Sequence, residues 1–330
     1  MNQLRPARDP MALLIRLAGN LIASASRGNE RLCILTYHRV LEAPDPLLPS
    51  EVDLATFRWQ MKLMARCFNV LPLSEALERM QEQTLPPRAV CVSFDDGYRS
   101  VYELALPVLQ EFGLPATVFT TTAHIDGGSM WNDRIIEAVR HMPLGPLDLR
   151  AIGLDLSAIA GEQDRLATAN RLARHAKYLQ PDERAQVIAV LEQLAGIRTV
   201  PDLMLNREMI ASLSRQHMEI GGHTVTHPIL GKLADNLARA EIIEGKQTLE
   251  AIIGKPLKLF AYPNGKVDVD YDDRHIRMVK EAGFSAAFTT AVGATSRFDA
   301  RYEIPRSRPW DKTPFMFSLR LLYWLLKKGA

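Results

Sequence analysis

Cysteine is scarce, charge of one sign does not dominate, and long apolar runs are missing; each lack removes a class of protein. The 330 residues include three cysteines, Cys33, Cys67 and Cys91, an odd number set in separate apolar stretches. That excludes a disulfide-stapled scaffold and points to reduced core thiols in a cytosolic setting. Forty basic residues face 38 acidic ones, a formal charge of +2. Such balance excludes a protein whose main task is to neutralise phosphates, so no nucleic-acid partner is expected. Nowhere do about 20 uninterrupted apolar residues occur, the length a bilayer-spanning helix needs, and no transmembrane helix is expected. What is present, 47% hydrophobic and 24% charged residues with 19 Gly and 20 Pro, is ordinary for a folded chain with a large core.

The two ends are the greasiest parts. Residues 11–25 (MALLIRLAGNLIASA) resemble a signal h-region, but Arg16 interrupts them. The expectation is an uncleaved amphipathic segment over 1–30 and a cytoplasmic protein, peripheral to the inner membrane. Residues 314–328 (PFMFSLRLLYWLLKK) form a helix with a greasy face and a basic tip, within a C-terminal segment 309–330. Two readings stay open: a terminal helix docked on the body, or a monotopic anchor in the headgroup region, giving peripheral membrane contact through the terminal helices.

Between the ends, short apolar runs alternate with amphipathic segments, the cadence of β/α units feeding a mainly parallel sheet. Strands are predicted at 32–37, 89–94, 116–121, 218–220, 257–261 and 286–289. Helices are predicted at 56–66, 74–83, 101–112, 234–253 and 273–282, with Gly113, Gly254 and Gly283 at helix ends. From about 129 to 206 the cadence breaks into helix-rich sequence with no strand candidate, an expected α-helical insertion in a barrel over 31–308.

Two clusters carry chemistry. In AVCVSFDDGY (89–98) a buried strand runs into Asp95 and Asp96 and then Gly97. In a parallel barrel the C-terminal strand ends face the reacting side, and adjacent residues there point different ways. One carboxylate can therefore bind a metal while the other reaches a water, although Asp-Asp-Gly is also a common turn. In EIGGHTVTHP (219–228), His223 and His227 stand four apart; on one helical turn they would share a face and converge on one ion. Two histidines and a carboxylate suit catalytic zinc or non-haem iron. The second carboxylate favours metal-assisted hydrolysis, since an oxygenase needs no base there.

SFDDGY, HTVTHP and FAYPNG (260–265) together resemble the polysaccharide deacetylase family, the carbohydrate esterases with a NodB homology domain. The resemblance implies an α/β fold, a distorted (β/α) barrel of the NodB homology type. It also implies a divalent metal, usually zinc, with cobalt or nickel as alternatives, and hydrolysis of an N-acyl group from an amino sugar. Carried over by motif, Asp95 resembles the catalytic base, Asp96, His223 and His227 the metal triad, and the Tyr98 N–H an oxyanion donor. Tyr262 and Pro263 resemble the third motif, which lines the groove.

Ala261 stands where many members have arginine, and neither a later tryptophan-bearing motif nor the late Leu-x-His is found. The replacement acid is expected to be His38, in LTYHRV (35–40), because an amide leaving group needs a proton. Arg306, in EIPRSRP, is counted with the groove residues and could steady Asp95 as the missing arginine would. Trp131, in MWNDR, could stack on a sugar or be a buried helix-start residue. The expected substrate is an N-acetylated glycan or lipid-linked sugar of a bacterial surface. The alternatives are a catalytically silent carbohydrate-binding protein of the same fold and an iron oxygenase.

Overall fold

Among the described residues eight strands build one curled sheet, seven of them along its path. In chain order the seven are β1 Arg31–Tyr37, β2 Ala89–Phe94, β3 Thr117–Thr120, β4 Glu219–Gly222, β5 Leu259–Ala261, β6 Ala286–Phe288 and β7 Ala294–Ser296. The computed structural model describes residues 10–25, 30–197 and 201–327. From β6 back to β1 the neighbours are consecutive and parallel, the winding of a barrel, and β7 adds antiparallel to the other edge of β1. The eighth, Asn69–Val70, pairs parallel beside the start of β2. All six predicted strands are present, with ends shifted by up to two residues.

No regular strand joins β6 to β1; residues 304–307 do. Ile304 donates to Ala287 O (3.0 Å) and Ser307 to Ile34 O (2.8 Å), while Thr36 donates back to Ser307 O (3.0 Å). Single bridges Phe288–Ile304 and Leu35–Ser307 mark the contact. Pro305 cannot donate to a ladder, which is why this stretch closes the barrel without reading as a strand.

Alternation on each strand divides the core. Leu32, Ile34, Ala89, Cys91, Phe119, Ala261 and Phe288 fill the inner side. Their neighbours Cys33, Leu35, Val90, Val92, Phe260 and Tyr262 pack outward under the helices. The three cysteines are buried, as expected. The covering helices are α1 Pro10–Ala25, α2 Leu54–Cys67, α3 Leu73–Gln81, α4 Leu106–Phe112, α5 Trp131–His141, α6 Glu162–Lys177, α7 Pro181–Ala195, α8 Arg207–Arg215, α9 Asp235–Ile253, α10 Asp273–Glu281 and α11 Pro314–Leu326. The helix expected at 101–112 is in fact a π turn, Val101–Ala105, feeding α4, with Pro107 near the junction, where its missing N–H leaves an α-helical bond unmade.

Helices α5 to α7 share a separate apolar cluster centred on Ile135, Val139, Leu172 and Leu191. That region is not strand-free: Gly145–Leu147 pairs antiparallel with Ser157–Ile159. Residues 203–205 already belong to the barrel rim, since Leu205 N donates to Gly97 O (2.8 Å) and Arg99 N to Leu203 O (2.7 Å). Among the described residues no helix is long and apolar enough to cross a membrane.

Candidate metal centre and active site

Asp95 continues the inward stripe of β2 past the strand end, its N–H donating to Tyr37 O at 2.9 Å. Asp96 then turns into the left-handed region, φ 73°, uncommon for a residue with a Cβ. Thr121 holds it there by donating both its N–H (3.2 Å) and its hydroxyl (2.9 Å) to the Asp96 carbonyl. Gly97 follows at φ 86°, where a Cβ would lie 2.6 Å from Thr120 Cγ2. This geometry lets the chain turn beneath the β3 end and aims the two carboxylates apart.

His223 leaves β4 on the same rim. A Cβ on the preceding Gly221 would fall 2.4 Å from the Phe119 ring, so only glycine lets the strand run this close. The two histidines are not on a helical turn, as their spacing suggested. They sit on a loop with positive φ at Thr224 (66°) and His227 (55°), and they converge because the loop folds back. Glu241 of α9 pins that loop, accepting from Val225 N and Thr226 N, both at 2.8 Å, and from the Thr226 hydroxyl at 2.7 Å. Nothing in the sequence marked Glu241, a helix-face carboxylate among several.

Asp96 Oδ1 lies 3.4 Å from His223 Nε2 and 3.5 Å from His227 Nε2. His223 Nδ1 donates to the Ala261 carbonyl (2.7 Å), which fixes the ring and leaves Nε2 as the free donor atom for a ligand role. Burial pushes the Asp96 carboxyl up, but the His227 and His223 rings outweigh it and hold it well below the usual carboxylate range. Burial pushes His227 down to about 4, so its ring offers a lone pair at neutral pH. For His223 burial pulls down, and Asp96, Asp95 and the Ala261 carbonyl together raise it.

The residues fit a divalent cation. Asp96 Oδ1 is buried and accepts no hydrogen bond, although two imidazole nitrogens flank it. Metal–ligand lengths of about 2.1 Å in a tetrahedron require ligand–ligand edges of about 3.4 Å; the two edges from Asp96 Oδ1 match this, and ligand atoms of all three residues lie within 4.8 Å of one another. A His227→Ala protein is accordingly expected to bind zinc at least 10- to 100-fold more weakly, the loss that removing a mere outer partner already causes. Metal analysis after dialysis reads this directly.

Asp95 stands beside the triad and is gripped from behind. Arg306 Nη1 donates to Oδ1 at 2.6 Å and Nη2 to Oδ2 at 2.8 Å, both partners buried. The guanidinium lies 5.0 Å from the Phe119 ring and 5.9 Å from Phe288. Burial pushes the Asp95 carboxyl up, and Arg306 with His223 overcomes this and lowers it. Arg306 is thus no groove residue; at 2% exposure it is spent on Asp95.

His38 follows β1 and is close enough to act electrostatically on Asp95, Asp96 and His227. Its Nδ1 accepts from Arg308 Nη2 (3.1 Å), and the same Nη2 reaches Glu51 Oε1 (2.8 Å). Tyr98 is buried, its hydroxyl on Asp133 Oδ2 (3.0 Å). The strand-like bonds on either side, from Leu205 to Gly97 and from Arg99 to Leu203, leave the Tyr98 N–H outside that pairing. Burial pushes Asp133 up to about 7 against the pull of Arg39 and Tyr98.

One expected groove residue is placed otherwise. The Tyr262 ring faces outward, stacked on Tyr271 at 3.8 Å and edge-on to Phe260, because alternation gives the inner side to Leu259 and Ala261. Trp131 opens α5 half-buried, with the Arg184 guanidinium 5.0 Å over its ring. With Thr226 of the histidine loop it lines a cavity of about 300 Å³; one indole face is therefore already covered.

The chain belongs to the polysaccharide deacetylase family, whose model matches residues 82–287. The poly-beta-1,6-N-acetyl-D-glucosamine N-deacetylase of Staphylococcus epidermidis is 30% identical over 134 residues, 34% of this chain and 46% of that enzyme. The fold is shared with the Streptococcus pyogenes deacetylase PplD, solved with acetate, at TM-score 0.60 and 18% identity over 90% of this chain and 99% of that one. IcaB from Ammonifex degensii aligns at TM-score 0.56 and 20% identity over 90% and 98% of the two chains.

Proposed function

We propose that the protein removes an acetyl group from N-acetylated amino sugars of a bacterial surface glycan or its lipid-linked precursor. The observation that carries this is one rim on which a candidate cation triad and an arginine-clamped second carboxylate stand together, with the Tyr98 N–H turned away from the neighbouring backbone pairing. The relative named for poly-beta-1,6-N-acetyl-D-glucosamine supports the substrate class. Asp96, His223 and His227 hold the cation, zinc by its nitrogen and oxygen donors; when bound, it supplies Lewis-acid polarisation and favours ionisation of water.

Asp95 takes the proton of the attacking water as the C–O bond forms. The Tyr98 N–H faces the carbonyl oxygen as it gains charge. The C–N bond then breaks and the amine leaves with a proton. For His38 to deliver it as an imidazolium, Arg308 must release Nδ1, and Glu51 is already at hand to keep the guanidinium. A silent binding protein has no use for a carboxylate clamped this way beside a cation triad.

The test is acetate release from N-acetylglucosamine oligomers, abolished by chelator and restored by zinc or cobalt. No release on oligomers or lipid-linked sugars would overturn the reading. His38→Ala is expected to keep its zinc but lose about 10²- to 10⁴-fold in kcat, the range of a general acid. Unchanged kcat would assign the proton to Asp95 after its first transfer.

A further inference from the structure

The terminal helices carry apolar surface that the fold does not use. On α1, Ile15 is buried, while Leu13, Leu14, Leu17 and Leu21 are exposed, Leu21 by 73%. On α11, Phe317, Leu321 and Leu322 pack inward, while Phe315, Met316, Leu319 and Tyr323 are exposed. Both exposed sets follow the spacing i, i+1, i+4, i+8, a stripe about 100° wide on a helix. The two helices pack on each other, so the stripes are neighbours. Monomeric soluble proteins rarely leave a patch of this kind uncovered.

Charge decides what covers it. Among the described residues of the two terminal segments, 10–25, 30–31 and 309–327, Arg16, Arg31, Lys312, Arg320 and Lys327 face only Glu30 and Asp311, a formal +3. Two copies meeting through this face would oppose like charges, whereas an anionic surface complements it. Beside α1, at the N-terminal ends of β1 and β2, a cavity of about 330 Å³ is lined by Gly19, Ile22 and Leu325, by Arg31 and Arg88, and by one carboxylate, Glu30. Arg31 Nη1 and Arg88 Nε and Nη1 are buried without a hydrogen-bond partner. The Arg88 stem crosses Gly19 so closely that a Cβ there would lie 2.4 Å from Arg88 Cγ, so the arginine and the helix are fitted to each other.

We propose that α1 and α11 lie together on an anionic bilayer, their stripes among the acyl chains and the arginine-lined cavity against a headgroup phosphate. The catalytic rim is at the opposite, C-terminal strand ends and stays free. This stands independently of the deacetylase reading.

Flotation with vesicles tests it. The full chain is expected to float with phosphatidylcholine vesicles containing phosphatidylglycerol and to bind pure phosphatidylcholine about ten-fold more weakly. The variant Leu14→Gln, Leu17→Gln, Leu21→Gln, Leu319→Gln, altered only at exposed positions, should lose about ten-fold or more in vesicle binding while keeping its melting temperature and its acetate release from soluble oligomers. Arg31→Gln with Arg88→Gln should bind phosphatidylglycerol vesicles no better than the wild type binds pure phosphatidylcholine. The proposal fails if the wild type stays in solution with anionic vesicles, if the Gln variant floats undiminished, or if the arginine variant keeps the full anionic advantage. It also fails if the wild type is a dimer that the Gln changes dissociate.

Discussion

Asp95→Asn is expected to lower kcat for acetate release by about 10²- to 10⁴-fold, with zinc content and KM close to wild type. The separation follows from geometry. The atoms placed to hold a cation are Asp96 Oδ1 and two imidazole Nε2 atoms, whereas both Asp95 oxygens are taken by Arg306. Removing the negative charge therefore removes the proposed base and leaves the candidate triad intact. Asparagine keeps one oxygen for an Arg306 N–H, so the fold is spared most of the cost of an orphaned guanidinium. If Asp95 were instead a buried structural anion, the variant would melt lower and lose zinc as its activity fell. Kinetics and metal analysis on one preparation decide between the two.

The parts of the site that could be read from the chain are those written locally. A buried strand ending in Asp-Asp-Gly places its carboxylates on the C-terminal rim wherever the barrel closes, and that logic located Asp95 and Asp96. His223 and His227 were located by spacing, but for the wrong reason. Helical spacing assumes αR backbone, and Thr224 and His227 adopt positive φ. Two residues four apart in a tight loop can converge as well as two on a helix, so the pattern survives the mistaken conformation. Tyr262 shows the opposite failure. Its motif places it at the groove, but strand parity turns the ring to the outer core and gives the inside to Leu259 and Ala261.

What could not be read locally depends on partners far along the chain. Glu241 holds the histidine loop from a helix face whose other carboxylates look the same in sequence. The segment 304–307 closes the barrel between β6 and β1, yet Pro305 removes the strand pattern that would announce it. Its position explains how Arg306, 211 residues from Asp95, comes to stand behind it. The family's usual arginine would come from the end of β5, where this chain has Ala261. The guanidinium here enters from the closing segment instead, and a side chain of similar chemistry reaches the carboxylate from the other side of the gap.

Arg306→Ala should therefore be the most destabilising single change at the site, costing about 3–5 kcal/mol because it leaves one member of a buried ion pair alone. The loss should depend on pH with a definite sign. In the wild type the Asp95 pKa is lowered against the effect of burial, so the pair contributes fully above the unfolded carboxylate value of about 3.9, and that contribution fades as pH falls through the lowered folded pKa. Without the guanidinium, burial is less opposed and the Asp95 pKa rises. The penalty of the buried anion is then fully present above that raised pKa and is relieved as pH falls below it. In chelator, the melting temperatures of wild type and Arg306→Ala should be furthest apart at neutral pH and approach each other on acidification. Arg306→Lys keeps the charge but not the two-pronged grip, and should recover most of the stability while turnover stays well below wild type. A gap between wild type and Arg306→Ala that is constant with pH would show that Arg306 serves the fold through the Phe119 and Phe288 packing and not through the Asp95 carboxylate.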